Sequence, residues 1–252
     1  MVKLSGCVVV YNKRVDESRS LQSLRKQGFH SLLVFDNSTE DEVCRYNLQY
    51  ASATNSFRYI CLHQNVGISR AYNMAIEDMG DSDYLAVFDD DTEVPNTYHY
   101  VMCAALERNS FDIAMPIVKV GARIVSPCRR TRFSFAPVYD LEDLGSSFSG
   151  INSGLCVNMR YAKEHPFNER LFLDYVDHDY LDRASRCGAS IGFVPEITLE
   201  QNLSIYQPQQ RNTESTIHRT RIFEKDCLEY YSSNPIRILY ALLLIARRKI
   251  CC

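Results

Sequence analysis

An α/β fold, a mostly parallel sheet with flanking helices, is predicted by three observations on this 252-residue chain. Short apolar runs alternate with stretches of helical periodicity through the first half, the signature of βαβ units. Each apolar run ends in polar residues, as strands do at the carboxyl edge of an open sheet. The composition, 46% hydrophobic and 23% charged, can bury a sizeable core and excludes disordered, collagen-like and mini-protein classes.

The first strand is expected at Leu4–Val10, an unbroken apolar run that fits a strand covered on both faces. Residues 18–27 carry helix formers and stop at Gly28, a natural C-cap. Further strands are expected at Leu32–Asp36, 58–62 and 84–88. Between the last two, Ile68, Ala71, Tyr72, Ala75 and Met79 recur at helical spacing ahead of Gly80. The connections then favour right-handed crossovers. The second half is less periodic: strands are expected at 112–118, 155–159 and 190–194, the last stopped by Pro195, with a helix at Val176–Arg186. Residues 121–149, rich in Arg, Ser and Phe, read as a long functional loop or insertion, and 207–221 as a mobile polar segment before a final helical region.

With 28 Lys+Arg against 31 Asp+Glu, the net charge of -3 gives no global basic field, and no nucleic-acid partner is expected. The 10 cysteines stand mostly singly in apolar segments without a CxxC pair, which reads as reduced thiols in a cytoplasmic protein. His63, His99, His165 and His178 show no ligand-type spacing. The N-terminal apolar run lacks a small-residue cleavage site and reads as a strand, not a signal peptide. Residues 238–246 (ILYALLLIA) supply about half of the roughly 20 residues a spanning helix needs. Flanked by Arg237, Arg247, Arg248 and Lys249, this helix suits either an anionic surface at the inner face of the cell membrane or packing against the domain or a second copy of the chain.

Chemistry concentrates behind the fourth strand. Asp89, Asp90 and Asp91 crowd three negative charges into one turn, which needs a cation, a protonated member or full exposure. Oxygen ligands suit Mg²⁺ or Mn²⁺. The alternative is an exposed acidic turn capping the next helix.

The ordered series VVVYNK (8–13), VFDNSTED (34–41), NVGISRAYNMAIE (65–77), YLAVFDDDTEV (84–94), SGINSGLCVNMR (149–160) and LFLDYVDHDYLDRA (171–184) resembles a family 2 glycosyltransferase with the GT-A fold. In motif pattern it is most similar to bacterial rhamnosyltransferases and galactofuranosyltransferases, over residues 4–202. The resemblance implies a nucleotide-sugar-binding half at 1–94, an acceptor and catalytic half at 95–202, and a polar segment with a C-terminal helical extension at 203–252. It implies a metal-dependent, inverting transfer from a UDP- or dTDP-sugar to a hydroxyl of a glycan or lipid-linked glycan. Asp36 would accept the N3–H of the base, Tyr11 and Asn12 would line base and ribose, and Asn65, Gly67, Arg70 and Asn73 would surround the donor, with Arg70 at a phosphate. Asp91 would be the main metal ligand, Asp89 would lie nearest the ribose or the sugar and join the ligand set, and Asp90 would face the donor sugar.

Asp177 takes the place of the family's catalytic base; Val176 fills the slot where an acidic partner is usual. Where the family often completes its metal site with a His, this chain has Gln201, with His218 a candidate to reach in from the polar segment. Ser149, Asn152 and Asp179 would meet the acceptor. Two other classes compete. A sugar nucleotidyltransferase would want a Gly-rich loop after the first strand, where YNKRVDES has none; a non-catalytic nucleotide-sugar-binding partner in a glycan-assembly complex is kept open by Gln201 and Val176.

Overall fold

The computed structural model describes residues 1–201 and 214–251. Its first strands, β1 (Leu4–Val10), β2 (Leu32–Asp36), β3 (Arg58–Cys61) and β4 (Tyr84–Asp89), pair in parallel in the order β3-β2-β1-β4. The helices α1 (Arg19–Leu24), α2 (Asp41–Thr54) and α3 (Ile68–Asp78) connect them. β1 and β2 are buried along nearly their whole length because helices cover both faces of this part of the sheet, as their continuous apolar composition requires.

Beyond β4 the sheet continues through β9 (Leu155–Asn158), β5 (Ile113–Val120), β6 (Arg123–Arg130) and β7 (Phe135–Val138). These pair antiparallel, while β10 (Ile191–Glu200) adds to β5 in parallel and the short β8 (Phe148–Ser149) to β6. The helices of this half are α4 (Tyr98–Arg108), α5 (Met159–Glu164) and α6 (Val176–Arg186). Two large hydrophobic clusters, one on each face of the sheet, form most of the core, and Ile117, Ile124, Val138 and Leu144 form a smaller one.

The differences from the sequence reading have physical reasons. α1 ends at Leu24 with Arg25 as C-cap, so Gly28 caps nothing. Helix α2 went unrecognised because its inner face is small and mixed, burying only Cys44, Asn47 and Ala51. The inward residues of α4, Tyr98, Met102, Ala105 and Leu106, follow Pro95 in a stretch that has no clear start signal. Residues 121–149 are not a loop: they form β6, β7 and β8, whose alternation is interrupted by register shifts. Nor does Pro195 stop β10. It lies at a register shift between Val194 and Thr198, on a strand whose strand partner among the described residues is β5, where its missing N–H breaks no ladder.

The chain closes with α7 (Glu214–Tyr230) and α8 (Pro235–Cys251). Residues 214–221 of the segment read as mobile are thus helical, while 202–213 lie outside the described residues. Cys227, Tyr230, Tyr231, Ala241 and Ile245 enter the main core, so the C-terminal helices pack on the domain. The other face of α8 leaves Leu239, Leu242 and Leu243 at 59%, 50% and 61% exposure. Among the described residues no helix is long and apolar enough to cross a membrane.

Candidate active site

Three strand ends meet around Asp89. β4 delivers Asp89 itself, the turn before β9 delivers Asn152 and Ser153, and β10 runs out at Gln201, tied to the acidic turn by a bridge between Glu93 and Glu200. The Ser153 hydroxyl donates to Asp89 Oδ2 at 2.7 Å, and the amides of Asn152 and Gln201 approach the same carboxylate at 3.4 and 3.5 Å. Asn152 also donates to the Tyr72 hydroxyl at 2.6 Å. Burial, partly offset by the Ser153 hydrogen bond and reinforced by the charges of Asp91, Asp177 and Asp90, pushes the Asp89 carboxyl up to about 6.

The neighbouring carboxylates differ. Asp90 pairs with Lys13 at 2.8 Å, and its backbone carbonyl accepts from the Ser18 hydroxyl at 2.9 Å. Asp91 is exposed at the wall of a cleft of about 890 Å³ shared with Lys13, Arg19, Lys26, Glu200 and Gln201. Gln201 is 9% exposed; its amide nitrogen donates to Thr92 at 2.9 Å and to Ser153, while its Oε1 is buried with no hydrogen-bond partner among the described residues. A buried, partnerless amide oxygen beside a carboxylate that burial and like charge destabilise is a donor set short of a cation. Asp89, Asp91 and Gln201 therefore fit a hard divalent ion. His218 is exposed on α7, and no group of three His, Cys, Asp or Glu side chains that includes it converges among the described residues.

Asp177 opens α6, with Asp179 beside it in the first turn. The Asp177 charge reaches Asp89, the Tyr72 hydroxyl and the Cys128 thiol, which places it across from the acidic turn. Its Oδ1 accepts from the His178 backbone N–H at 2.8 Å, and it has no ion pair among the described residues. Its two acidic neighbours are committed elsewhere. Asp174 makes a two-pronged pair with Arg219 of α7 at 2.5 and 2.7 Å, and Asp179 pairs with Arg183 at 2.8 Å.

Helix α7 holds the loop that leads into α6 and Asp177. Asp226, fully buried, accepts the backbone N–H groups of Phe172, Leu173 and Asp174 at 2.7–2.9 Å. Tyr175 adopts a left-handed backbone, φ 63°, uncommon for an aromatic residue, and stacks on Tyr230 with ring centroids 4.9 Å apart. Deeper in α6, Asp182 is 2% exposed between Arg130 at 2.5 Å and the Tyr230 hydroxyl at 2.7 Å.

Several residues expected at ligands are spent inside the protein. Ser149 and Asn152, expected at the acceptor, are 0% and 8% exposed: the Ser149 hydroxyl meets His178 Nδ1 at 2.7 Å, and Asn152 serves Tyr72 and Asp89. Gly67 is buried against the chain itself. At φ +81° it caps α3, and a Cβ there would lie 2.6 Å from the Phe172 carbonyl, whose oxygen accepts from Ile68 N at 2.8 Å. Asn73 exchanges hydrogen bonds with the Phe167 backbone in both directions, 3.0 and 2.8 Å, and Asn65 accepts from Gly67 N at 3.0 Å.

At the ends of β1 and β2, Asp36 is fully buried and accepts from Ser38 N, Asn47 and Tyr59 at 2.8, 2.7 and 2.6 Å. A carboxylate offers about four acceptor positions, so about one is left unfilled by these three donors. Asn12, at φ 46°, uses its side-chain oxygen to accept from Thr39 N at 2.8 Å, which fixes the loop after β2. Tyr11 stands 49% exposed, its ring free to stack, and Arg70 is exposed with no partner among the described residues.

Sequence reasoning missed Ser153, Tyr72, Lys13, Arg219 and Asp226. Ser153 and Lys13 sit inside the recognised motifs, next to residues that were singled out; nothing local marks Asp226, which lies 52–54 positions from the amides it caps.

Comparison with known proteins bears on the fold and the family. The structure of GalNAc-T7 with UDP, GalNAc and Mn²⁺ superposes with a TM-score of 0.64 at 12% identity, covering 92% of this chain and 51% of that one. The chain thus spans about half the length of that relative. S. aureus TarS 1-349 in complex with UDP matches at TM-score 0.57 and 17% identity, over 97% of this chain and 70% of that one. The mannosyltransferase PcManGT from Pyrobaculum calidifontis, in complex with GDP-Man and Mn²⁺, matches at 0.60 and 13% identity, over 97% and 70%. No curated protein matches the sequence. At these identities the structural likeness concerns the fold, a GT-A architecture. The family described as Glycosyl transferase family 2 matches residues 5–163, more than half of the chain, and the protein belongs to that family.

Proposed function

We propose that the protein is a divalent-metal-dependent, inverting glycosyltransferase that moves a sugar from a UDP- or dTDP-sugar to a hydroxyl of a glycan or lipid-linked glycan. The observation that carries this reading is the donor set around Asp89: a carboxyl pushed up to about 6 beside Asp91 and the partnerless buried oxygen of Gln201. Family membership supports the same reading, and the motif pattern favours a rhamnosyl or galactofuranosyl donor.

Asp89, Asp91 and Gln201 would hold the ion. A bound Mn²⁺ or Mg²⁺ supplies Lewis-acid neutralisation of the charge that grows on the departing nucleoside diphosphate. Lys13, Arg19 and Lys26 line the same cleft and add fixed positive charge where diphosphate oxygens would lie. The Tyr11 ring gives the base a stacking face, and Asp36, with one acceptor position left, would take the pyrimidine N3–H.

Asp177 acts as the base. Its carboxylate takes the proton of the acceptor hydroxyl as that oxygen bonds to the anomeric carbon and the sugar–phosphate bond breaks on the opposite face. One displacement inverts the configuration. Asp174 and Asp179, neutralised by Arg219 and Arg183, are unsuited to this role. The exposed leucines of α8, next to exposed Arg247, fit an acceptor presented at an anionic membrane surface.

The test is a screen of nucleotide sugars for metal-dependent thermal stabilisation, followed by an assay of nucleoside diphosphate release. Asp91→Ala is expected to abolish metal-dependent donor binding. Asp177→Asn keeps donor binding and loses transfer. Wild-type turnover in Asp177→Asn would remove the base assignment, and donor binding without any release would favour a non-catalytic nucleotide-sugar-binding protein.

A further inference from the structure

At the β3 edge of the nucleotide half, next to Asp36, the fold assembles a second group of ligands that the transferase reading does not use. Cys44 lies on α2, Cys61 is the last residue of β3, and His63 follows two positions later. One ligand atom from each, the two sulfurs and an imidazole nitrogen, lies within 4.8 Å of the other two. Their spacing in the sequence signals nothing, because Cys61 follows Cys44 by 17 positions that span a helix, a turn and a strand. Parallel pairing of β3 with β2 and the return of α2 across the sheet bring them together.

We propose that Cys44, Cys61 and His63 form a binding site for a thiophilic divalent cation of the Zn²⁺ class, with the fourth position open to solvent. The donor set favours this ion class. Two thiolates and an imidazole suit Zn²⁺ and are poor ligands for the hard Mg²⁺ or Mn²⁺ that the oxygen-lined site at Asp89 would take. The geometry is within reach. Tetrahedral bonds of about 2.3 Å to sulfur and 2.0 Å to nitrogen place ligand atoms roughly 3.5–3.8 Å apart, so the group need close by no more than about 1.3 Å. Exposed His63 can supply that movement, since it stands on a turn after the strand with φ 52°. The burial gradient matches an edge site: Cys44 is 1% exposed, Cys61 is partly buried and His63 is open.

The site would also brace the sheet. Among the described residues β3 is an edge strand paired with β2 alone, and Cys61 is the register partner of Asp36. Cys44 Sγ already approaches the Ser38 carbonyl at 3.4 Å. An ion shared by Cys44, Cys61 and His63 would tie α2 and the loop after β2 to that edge.

The experiment uses the full chain, stripped of metal and kept in a non-thiol reductant, titrated with Co²⁺ as a spectroscopic substitute for Zn²⁺. A thiolate-to-cobalt charge-transfer band and tetrahedral d–d bands are expected, abolished by Zn²⁺ and untouched by Mg²⁺. Cys61→Ser and His63→Gln each lose the tetrahedral spectrum. Cys103→Ser, Cys187→Ser and the double replacement Cys251→Ser with Cys252→Ser each keep it. Because His63 is exposed, His63→Gln folds normally, and thermal melting gives a second reading: Zn²⁺ raises the wild-type midpoint but not that of His63→Gln. The proposal is overturned by the absence of a charge-transfer band in the wild type, by its persistence in Cys61→Ser, or by its loss in a control. The probe is the metal alone, so these results are independent of the transferase reading.

Discussion

Raising the pH through 6 should destabilise the metal-free protein, and Asp89 is the reason. Its carboxyl is raised from 3.8 to about 6 in the folded state, first by burial and then by Asp91, Asp177 and Asp90. Between those values the folded chain binds more protons than the unfolded chain, so unfolding free energy falls as pH rises. The contribution is fully present below about pH 4 and lost as pH climbs through the folded value. At about 1.4 kcal/mol per unit, the shift corresponds to about 3 kcal/mol. Urea denaturation in the presence of a chelator, from about pH 4 to pH 8, would compare the wild type with Asp89→Asn, which has nearly the same shape and does not titrate. Other acids with raised values, such as Asp182 and Asp226, cancel in the difference. The wild type is expected to lose about 3 kcal/mol relative to the variant across this window, and Mn²⁺ should restore most of it at neutral pH. A flat difference would refute the reasoning, because it would mean that no repulsion is stored at Asp89 for a cation to relieve.

Arg130→Ala strips Asp182 of its ion pair and leaves a carboxylate that is 2% exposed, with the Tyr230 hydroxyl as its side-chain partner, so a loss of about 3 kcal/mol is expected by urea denaturation. A change below about 1 kcal/mol would show the pair to be solvated. Gly67→Ala sets a Cβ against the Phe172 carbonyl on a backbone at φ +81°, and a fall of about 1–3 kcal/mol in stability is expected. Asp226→Ala frees three backbone N–H groups in the loop before Asp177. Turnover is expected to drop while metal-dependent donor affinity holds; equal loss of both would mean the loop does not act through Asp177.

The parallel half of the fold is legible because each βαβ unit announces itself locally. β1 and β2 run over the residues their apolar composition predicts, and α6 matches its expected span of Val176–Arg186. The antiparallel half is not legible in the same way, since β6, β7 and β8 are short and broken by register shifts, and their burial depends on neighbours far along the chain. The same division runs through the candidate site. Asp89, Asp91, Gln201 and Asp177 could be picked out because they stand at strand and helix ends within a recognisable order.

What the sequence by itself determined was the family, the strand-end positions and the residue types available there, because periodicity and motif order are local properties. Only the tertiary structure decided how each side chain is used. It turned Asn152 inward to Asp89, closed Gly67 beneath Phe172 and left Asp177 as the acidic group of its loop without an ion pair among the described residues. It also set Cys44, Cys61 and His63 side by side. Hydrogen-bond saturation, burial and charge pairing arise between segments that sequence distance keeps apart, and they exist only once the sheet has brought those segments together.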